Sequence, residues 1–269
     1  MTIERVARWV RRADRVVYLV GAGLSVPSGI RAYRSGKNAV WGEHVLEWGT
    51  RQRFLDDPLA WWKTFWLGAH ADLFRDDVHP NAGHEALVEL VGRDPRDLVI
   101  TQNIDGLHRR AGHPESQLVE IHGRHDRFVC SSDGGCRGID HPLESVDLSR
   151  LDQGVVPRCA RCDEPMRPLV LLFDERYDGH AFYQAHRARR ALDDASVIVF
   201  VGTSFSVGIT ASAMRCAQVS GARMVNVNPE PAPFAGVTEL TGSAHELLPA
   251  VAHELTFPTP ERDTLPPPR

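Results

Sequence analysis

The stretch VVYLVGAGLSVPSGIRAYR, residues 16–34, decides the reading of the fold. Its first five residues are an apolar, mostly β-branched run of the length of a strand buried on both faces, and the run breaks at once into Gly21-Ala22-Gly23. Without a Cβ, Gly21 and Gly23 let the backbone turn sharply and approach a phosphate, whose charge the N–H groups and dipole of a following helix can meet. Such a turn also occurs where a loop merely bends, so Gly-Ala-Gly alone is a weak signal. Ser25, a second turn at Ser28-Gly29 and the pair Tyr33-Arg34 extend it.

Outward from this stretch the chain alternates strand-like and helix-like segments. Before it, Ile3, Val6, Ala7 and Val10 fall at helical spacing, so the arginine-rich start reads as an amphipathic helix of the fold and not as a transit peptide. After it, residues 35–48 lack periodicity and read as a loop, and Asp57-Pro58 opens a helical segment dense in Trp61, Trp62, Phe65 and Trp66. These aromatics are either the core of a helical insert or the lining of a pocket. Pro80-Asn81 starts the next helix, which ends near Gly92 and carries His84 on its apolar face, where a packed structural histidine is expected before a catalyst. Strands at residues 98–101 and 118–121 run into Gln102-Asn103-Ile104-Asp105 and into His122-Gly123. Polar groups past the carboxyl ends of strands lie where open α/β sheets bind ligands, and a histidine there can serve as a general base. The rhythm resumes at residues 197–201, followed by Gly202-Thr203-Ser204, a helical stretch through Cys216 and a strand ending at Asn228. This is the pattern of a doubly wound parallel sheet.

Cys130, Cys136, Cys159 and Cys162 form two knuckles, and four thiolates from two turns suit tetrahedral structural Zn2+. The five residues between Cys130 and Cys136 exceed the usual spacing, so either that turn is longer or Cys136 is an imperfect ligand. With all four positions filled, such a zinc holds a small module together and leaves no site for water. Cys216 has no partner and is expected to be buried. Composition sets further bounds. A net charge of −4 gives no basic excess for nucleic acid but suits a basic peptide, and no stretch is apolar enough to span a bilayer. Lacking a secretory signal, the chain is expected in the reducing cytoplasm, where thiols persist as ligands. The tail PTPERDTLPPPR is too rich in proline to fold.

Taken together, the motifs resemble the sirtuins, NAD-dependent protein lysine deacylases, over roughly residues 3–255. The resemblance rests on Gly-Ala-Gly-x-Ser-x-x-Ser-Gly-Ile, on the string TQNIDGLH, on His122-Gly123, on the cysteines and on Gly-Thr-Ser. It implies a Rossmann-like parallel sheet (about residues 1–34, 81–123 and 169–255) with a helical insert (about 35–80) and a zinc module (about 124–168). It further implies an NAD site built from Gly21, Ala22, Gly23, Ser25, Ile30, Tyr33, Arg34, Gln102, Asn103, Ile104, Asp105, Gly202, Thr203, Ser204, Asn228 and Ala244. In the implied reaction, Asn103 and Asp105 serve the nicotinamide end, and His122 removes a proton from a ribose hydroxyl. The products are free lysine, nicotinamide and O-acyl-ADP-ribose, from an acyl-lysine protein or peptide.

Three departures matter. Arg31-Ala32 replaces the family's Pro-Asp, and Trp66 and Ala69 stand where the branch acting on acidic acyl groups has Tyr-x-x-Arg. Asp174 replaces the glycine of Phe-Gly-Glu, where the family pairs with substrate backbone, and could narrow the peptide groove or attract a cationic substrate. Asp174 and the missing acidic-acyl pair give some weight to a mono-ADP-ribosyltransferase. A catalytically weak NAD-sensing module is disfavoured by the intact Asn103 and His122, and a hydride-transferring oxidoreductase by the lack of a regular Gly-x-Gly-x-x-Gly.

Overall fold

The structure, a computed structural model, describes residues 2–31, 43–132, 136 and 142–259. Tyr33 and Arg34, expected at the cofactor, lie outside the described residues, as do Ala32 and the end of the tail.

Helix α1 (Ile3–Arg11) buries Val6, Ala7 and Val10 and leads into β1 (Val16–Val20). The insert supplies α2 (Glu43–Trp48), α3 (Arg51–Asp56) and α4 (Pro58–Ala60), which runs on as π-helical turns over Trp61–Ala69. Helix α5 (Ala82–Val91) precedes β2 (Leu98–Thr101), and α6 (Leu107–Arg110) precedes β3 (Leu118–Glu120). Strands β4 (Gly123–Cys130) and β5 (Met166–Val170) bracket the cysteine segment. The chain ends through α7 (Ala185–Asp193), β6 (Val197–Val201), α8 (Gly208–Ser220), β7 (Arg223–Asn228), β8 (Val237–Thr241) and α9 (Ala244–Thr256).

Six parallel strands form one sheet in the order β3-β2-β1-β6-β7-β8. Every residue of β1 is buried, and its side chains alternate between two cores. Val16, Tyr18 and Val20 pack with α1, α5 and α9, whereas Val17 and Leu19 pack with α7 and α8. Helices on both faces explain why the strand reads as a continuous apolar run. The strand order reverses between β1 and β6, which opens a crevice at their carboxyl ends, the place where open sheets of this kind bind ligands.

From the sequence alone the apolar run PLVLLF, residues 168–173, reads as a strand leading back from the cysteine module to the main sheet. Instead β5 ends at Val170 and pairs antiparallel with β4 in a separate two-stranded sheet. The apolar run reflects burial against the aromatic insert, since Trp61, Trp62, Phe65 and Trp66 share one core with Phe128, Cys130, Cys159, Met166 and Val170. Insert and cysteine module thus bury their faces on each other, pinned by a hydrogen bond from Trp62 Nε1 to the Met166 carbonyl (3.0 Å), while Trp61 Nε1 donates to the Trp48 carbonyl (2.8 Å) within the insert. Among the described residues no helix is long and apolar enough to cross a membrane.

Candidate active site

A cavity of about 480 Å³ lies at the sheet's reversal point, within the size range of small-molecule sites. Gly21, Ala22, Gly23, Ser25, Ile30, Gln102, Asn103, Ile104, Asp105, His122, Gly202, Thr203 and Ser204 all line it. Asn228 and Ala244 do not. Asn228 lies one layer back, its amide donating to the Thr203 carbonyl (3.0 Å), and Ala244 is buried at the start of α9.

The glycines after β1 line the cavity and also have a task in backbone packing. A Cβ on Gly21 would lie 2.8 Å from the Gly202 carbonyl oxygen, and one on Gly23 would lie 2.7 Å from it. Gly202 itself has φ +54°, and a Cβ there would meet Leu24 N at 2.6 Å. The glycines therefore let the loops after β1 and β6 interlock, backbone to backbone, with Gly21 N–H donating to Val201 O and Gly23 N–H to Gly202 O, both at 2.9 Å. The segment that follows is not a long helix but two single 3₁₀ turns, Ala22–Leu24 and Val26–Ser28, and the long helix whose N-terminal end reaches the cavity is α8, with Val207 and Gly208 in the lining.

At one end of the cavity a chain of hydrogen bonds is fixed in direction. Ser25 Oγ donates to Asp105 Oδ2 (2.7 Å) and accepts from Asn103 Nδ2 (3.1 Å), which also donates to Gly21 O (3.2 Å). Asp105 Oδ1 accepts from Leu107 N (2.9 Å). Burial pushes the Asp105 carboxyl up, and the bonds from Ser25 and Leu107 oppose that shift. Behind this group, His84 is fully buried and closes the capping box of α5, its Nδ1 accepting from Asn81 N (3.3 Å). That leaves a proton on Nε2, which faces Ser25 Oγ at 3.5 Å, so His84 supports the site from behind and does not line the cavity.

His122 stands immediately before β4 and lines the cavity. Its Nδ1 donates to the Gln102 carbonyl (2.8 Å), which cannot donate in return, so the neutral ring keeps its lone pair on Nε2. Enclosure in the cavity wall lowers its pKa to about 4, against the hydrogen bond to Gln102, so the ring is neutral at pH 7 and able to accept a proton. Tyr177, which sequence reasoning missed, stacks on this imidazole and also lines the cavity. Nothing in its neighbourhood, ERYDG, marks it.

The far wall is apolar, formed by Val45, Phe65, Trp66, Ile104, Val170 and Leu172. Both readings of the tryptophans hold, because Trp61 and Trp62 are pure core while Phe65 and Trp66 are at once core and wall. Two polar groups in this wall bring no free charge. Burial lowers the His70 pKa to about 4, and Arg31 is paired to Asp72 (2.5 Å). Asp174 lies outside the cavity lining. Its carboxylate accepts from Arg51 N (2.7 Å) and Gln52 N (3.1 Å), capping α3, so it ties the insert to the segment after β5 and does not narrow a groove.

The thiolate-forming atoms of Cys130, Cys136, Cys159 and Cys162 lie within 4.8 Å of one another, with Sγ separations of 3.4 Å for Cys130 and Cys162 and 3.6 Å for Cys136 and Cys159. Zn–S bonds of about 2.3 Å in a tetrahedron give sulfur separations near 3.8 Å, so the four residues fit zinc and Cys136 takes its place despite the long spacing. The cluster is built into the insert-facing core and not into the cavity lining.

The model of the Sir2 family matches residues 21–208, which span both the cavity and the cysteines. The chain belongs to the Sir2 family. It is 35% identical over 275 residues to the NAD-dependent deacetylase sir2E of Dictyostelium discoideum, covering 97% of this chain and 79% of that protein. It is likewise 35% identical to an NAD-dependent protein deacetylase of Haloarcula marismortui, covering 94% of this chain and 95% of the relative. Among solved structures, a Sir2 homologue–NAD complex superposes with a TM-score of 0.76 at 27% identity over 94% of each chain. A Sir2–p53 peptide–NAD+ complex does so with 0.74 at 25% identity, covering 96% of this chain and all of that one. The parallel sheet and the four-cysteine cluster of this Sir2 chain agree with those likenesses.

The buried histidines set a pH dependence of stability. Folded pKa values of about 4 for His70, His113 and His122, about 3 for His84 and one well below 6.5 for His108 all arise first from burial. The unfolded chain titrates these groups near 6.5, so it binds more protons between about 6.5 and 4 and stability falls with pH across that window. Asp97, raised to about 6, and Asp105 and Glu120, also raised by burial, act in the opposite sense but are fewer. Thermal unfolding in a buffer series is expected to show a lower Tm at pH 5 than at pH 7, and a Tm that holds or rises would contradict this balance.

Proposed function

We propose that this chain is an NAD-dependent protein-lysine deacylase that releases nicotinamide and transfers the acyl group to ADP-ribose. The observation that carries the reading is the convergence of Asn103, Asp105 and Ser25 with a neutral, lone-pair-bearing His122 on one cavity of a Sir2-family chain. NAD, when bound as co-substrate, supplies the ribose that accepts the acyl oxygen. The interlocked loops at Gly21, Gly23 and Gly202 form a rigid floor for it, with Ala22, Ile30, Gln102, Ile104, Thr203 and Ser204 around it. Asp105 and Asn103 bind and orient its nicotinamide end, and Nε2 of His122 takes the proton of a ribose hydroxyl. Holding two substrates in register turns a collision into an intramolecular step.

Asp174, the departure that gave weight to ADP-ribosyl transfer, is engaged in capping α3, which leaves deacylation the better supported reading. The zinc fit of the four cysteines supports a structural metal, and a thiolate site of this kind suits the reducing cytoplasm.

The apolar wall sets the acyl preference. A succinyl carboxylate would need a cation, but His70 is neutral and Arg31 is held by Asp72, so its desolvation would cost roughly several kcal/mol. Each buried methylene of a neutral chain contributes about 0.8 kcal/mol, or about fourfold in kcat/KM. Peptides bearing acetyl-, butyryl-, octanoyl- or succinyl-lysine are therefore expected to rank with neutral acyl groups at least tenfold above succinyl. Absence of turnover on all four would overturn the function, and a succinyl peptide outrunning acetyl tenfold would overturn the assignment of the wall.

A further inference from the structure

Tyr177 lies in the turn after β5, where its neighbours Arg176 and Asp178 pair with each other at 2.9 Å and are exposed. Its ring instead turns inward and stacks on the His122 imidazole, with centroids 5.8 Å apart and planes 17° from parallel. The phenol oxygen is 3.4 Å from His122 Nε2 and 3.2 Å from the backbone N of Ile209, the second residue of α8. The ring also abuts Gly208, where a Cβ would lie 3.4 Å from it.

Among the described residues, the hydrogen bonds give each proton in this arrangement a partner. The Gln102 carbonyl takes the Nδ1 proton of His122, and the Ile209 amide donates to the phenol oxygen. The phenol's own proton is then left for the lone pair on Nε2. We propose that Tyr177 is a positioning residue for the base: its hydroxyl caps Nε2 of His122, and its ring holds the imidazole in the tautomer and orientation that a substrate hydroxyl meets when it displaces the phenol. The anchor at Ile209 connects this hold to the loop before α8, whose Ser204, Ser206 and Val207 line the same cavity.

This inference rests on His122 acting as the base, but one of its tests does not need turnover. Tyr177→Phe keeps the stacked ring and removes only the hydroxyl. Nitrogen-15 NMR of the imidazoles, with the His122 signal assigned by its loss in His122→Ala, reports tautomer and pKa without substrate. A hydrogen bond donated to the neutral ring favours that form, so its loss should raise the His122 pKa by about half a pH unit. The acid limb of kcat/KM should move upward by the same amount, and kcat should fall about threefold with KM for NAD unchanged. Tyr177→Ala, which also opens the cavity wall, should raise the pKa further and loosen the tautomer preference. A Tyr177→Phe protein with the wild-type His122 pKa, tautomer and pH profile overturns the proposal. If no acyl peptide turns over in wild type, the deacylase reading fails, while the NMR comparison still decides the role of Tyr177.

Discussion

His122→Ala is expected to lower deacylase turnover by about 10²- to 10⁴-fold, the contribution of a positioned general base, while leaving the affinity for NAD within about threefold of wild type. The ring's polar contacts are to the Gln102 carbonyl and the Tyr177 phenol, neither of which shapes the floor at Gly21, Gly23 and Gly202. Asn103, Ser25 and Asp105 are tied to one another and do not depend on the imidazole. Calorimetric titration with NAD and a turnover assay on the same preparation separate the two effects. Turnover within tenfold of wild type would remove His122 as the base, and a collapse of NAD affinity would make it a binding residue.

Cys159→Ser is expected to precipitate the protein or abolish its cooperative unfolding, with loss of zinc. Structural zinc contributes about 10–16 kcal/mol of apparent binding free energy in small modules, comparable with the entire stability of a domain. Here the loss would spread, because Cys159 and Cys130 sit in one core with Trp61, Trp62, Phe65 and Trp66, so loosening the knuckles also unseats the helical insert. Cys216→Ser serves as the control, since that thiol contacts Asp193 on α7 and lies far from the cluster. Soluble yield and elemental analysis give the answer, and a Cys159→Ser protein that stays soluble and retains its zinc would contradict it.

Much of this molecule is readable along the chain because its periodicities are strong. The run before Gly21 is apolar on both faces because helices cover both faces, and the breaks at Gly21, Gln102, His122 and Gly202 mark the strand ends that meet at the cavity. What sequence could not show is pairing across distance. Residues 168–173 carry an apolar run that suits either sheet, and only the burial of Met166 and Val170 against the tryptophans selects the small one. The glycines at 21 and 23 read as a phosphate turn, and what the chain alone does not show is that their missing Cβ atoms also make room for the Gly202 backbone, a partner 179 or more residues away. Asp174 reads as a blemish in a substrate motif until the amides of Arg51 and Gln52 are seen on its carboxylate. Tyr177 has no local signal at all, because its meaning depends on His122 and Ile209, which come from other parts of the chain.

The fate of the acyl group tests the central claim most directly. Mass spectrometry of a reaction containing NAD and an acetyl-lysine peptide should find deacetylated peptide, nicotinamide and O-acetyl-ADP-ribose in equal amounts. ADP-ribose attached to the peptide, with the acetyl group still on lysine, would show instead a transferase on the same scaffold and would contradict the account.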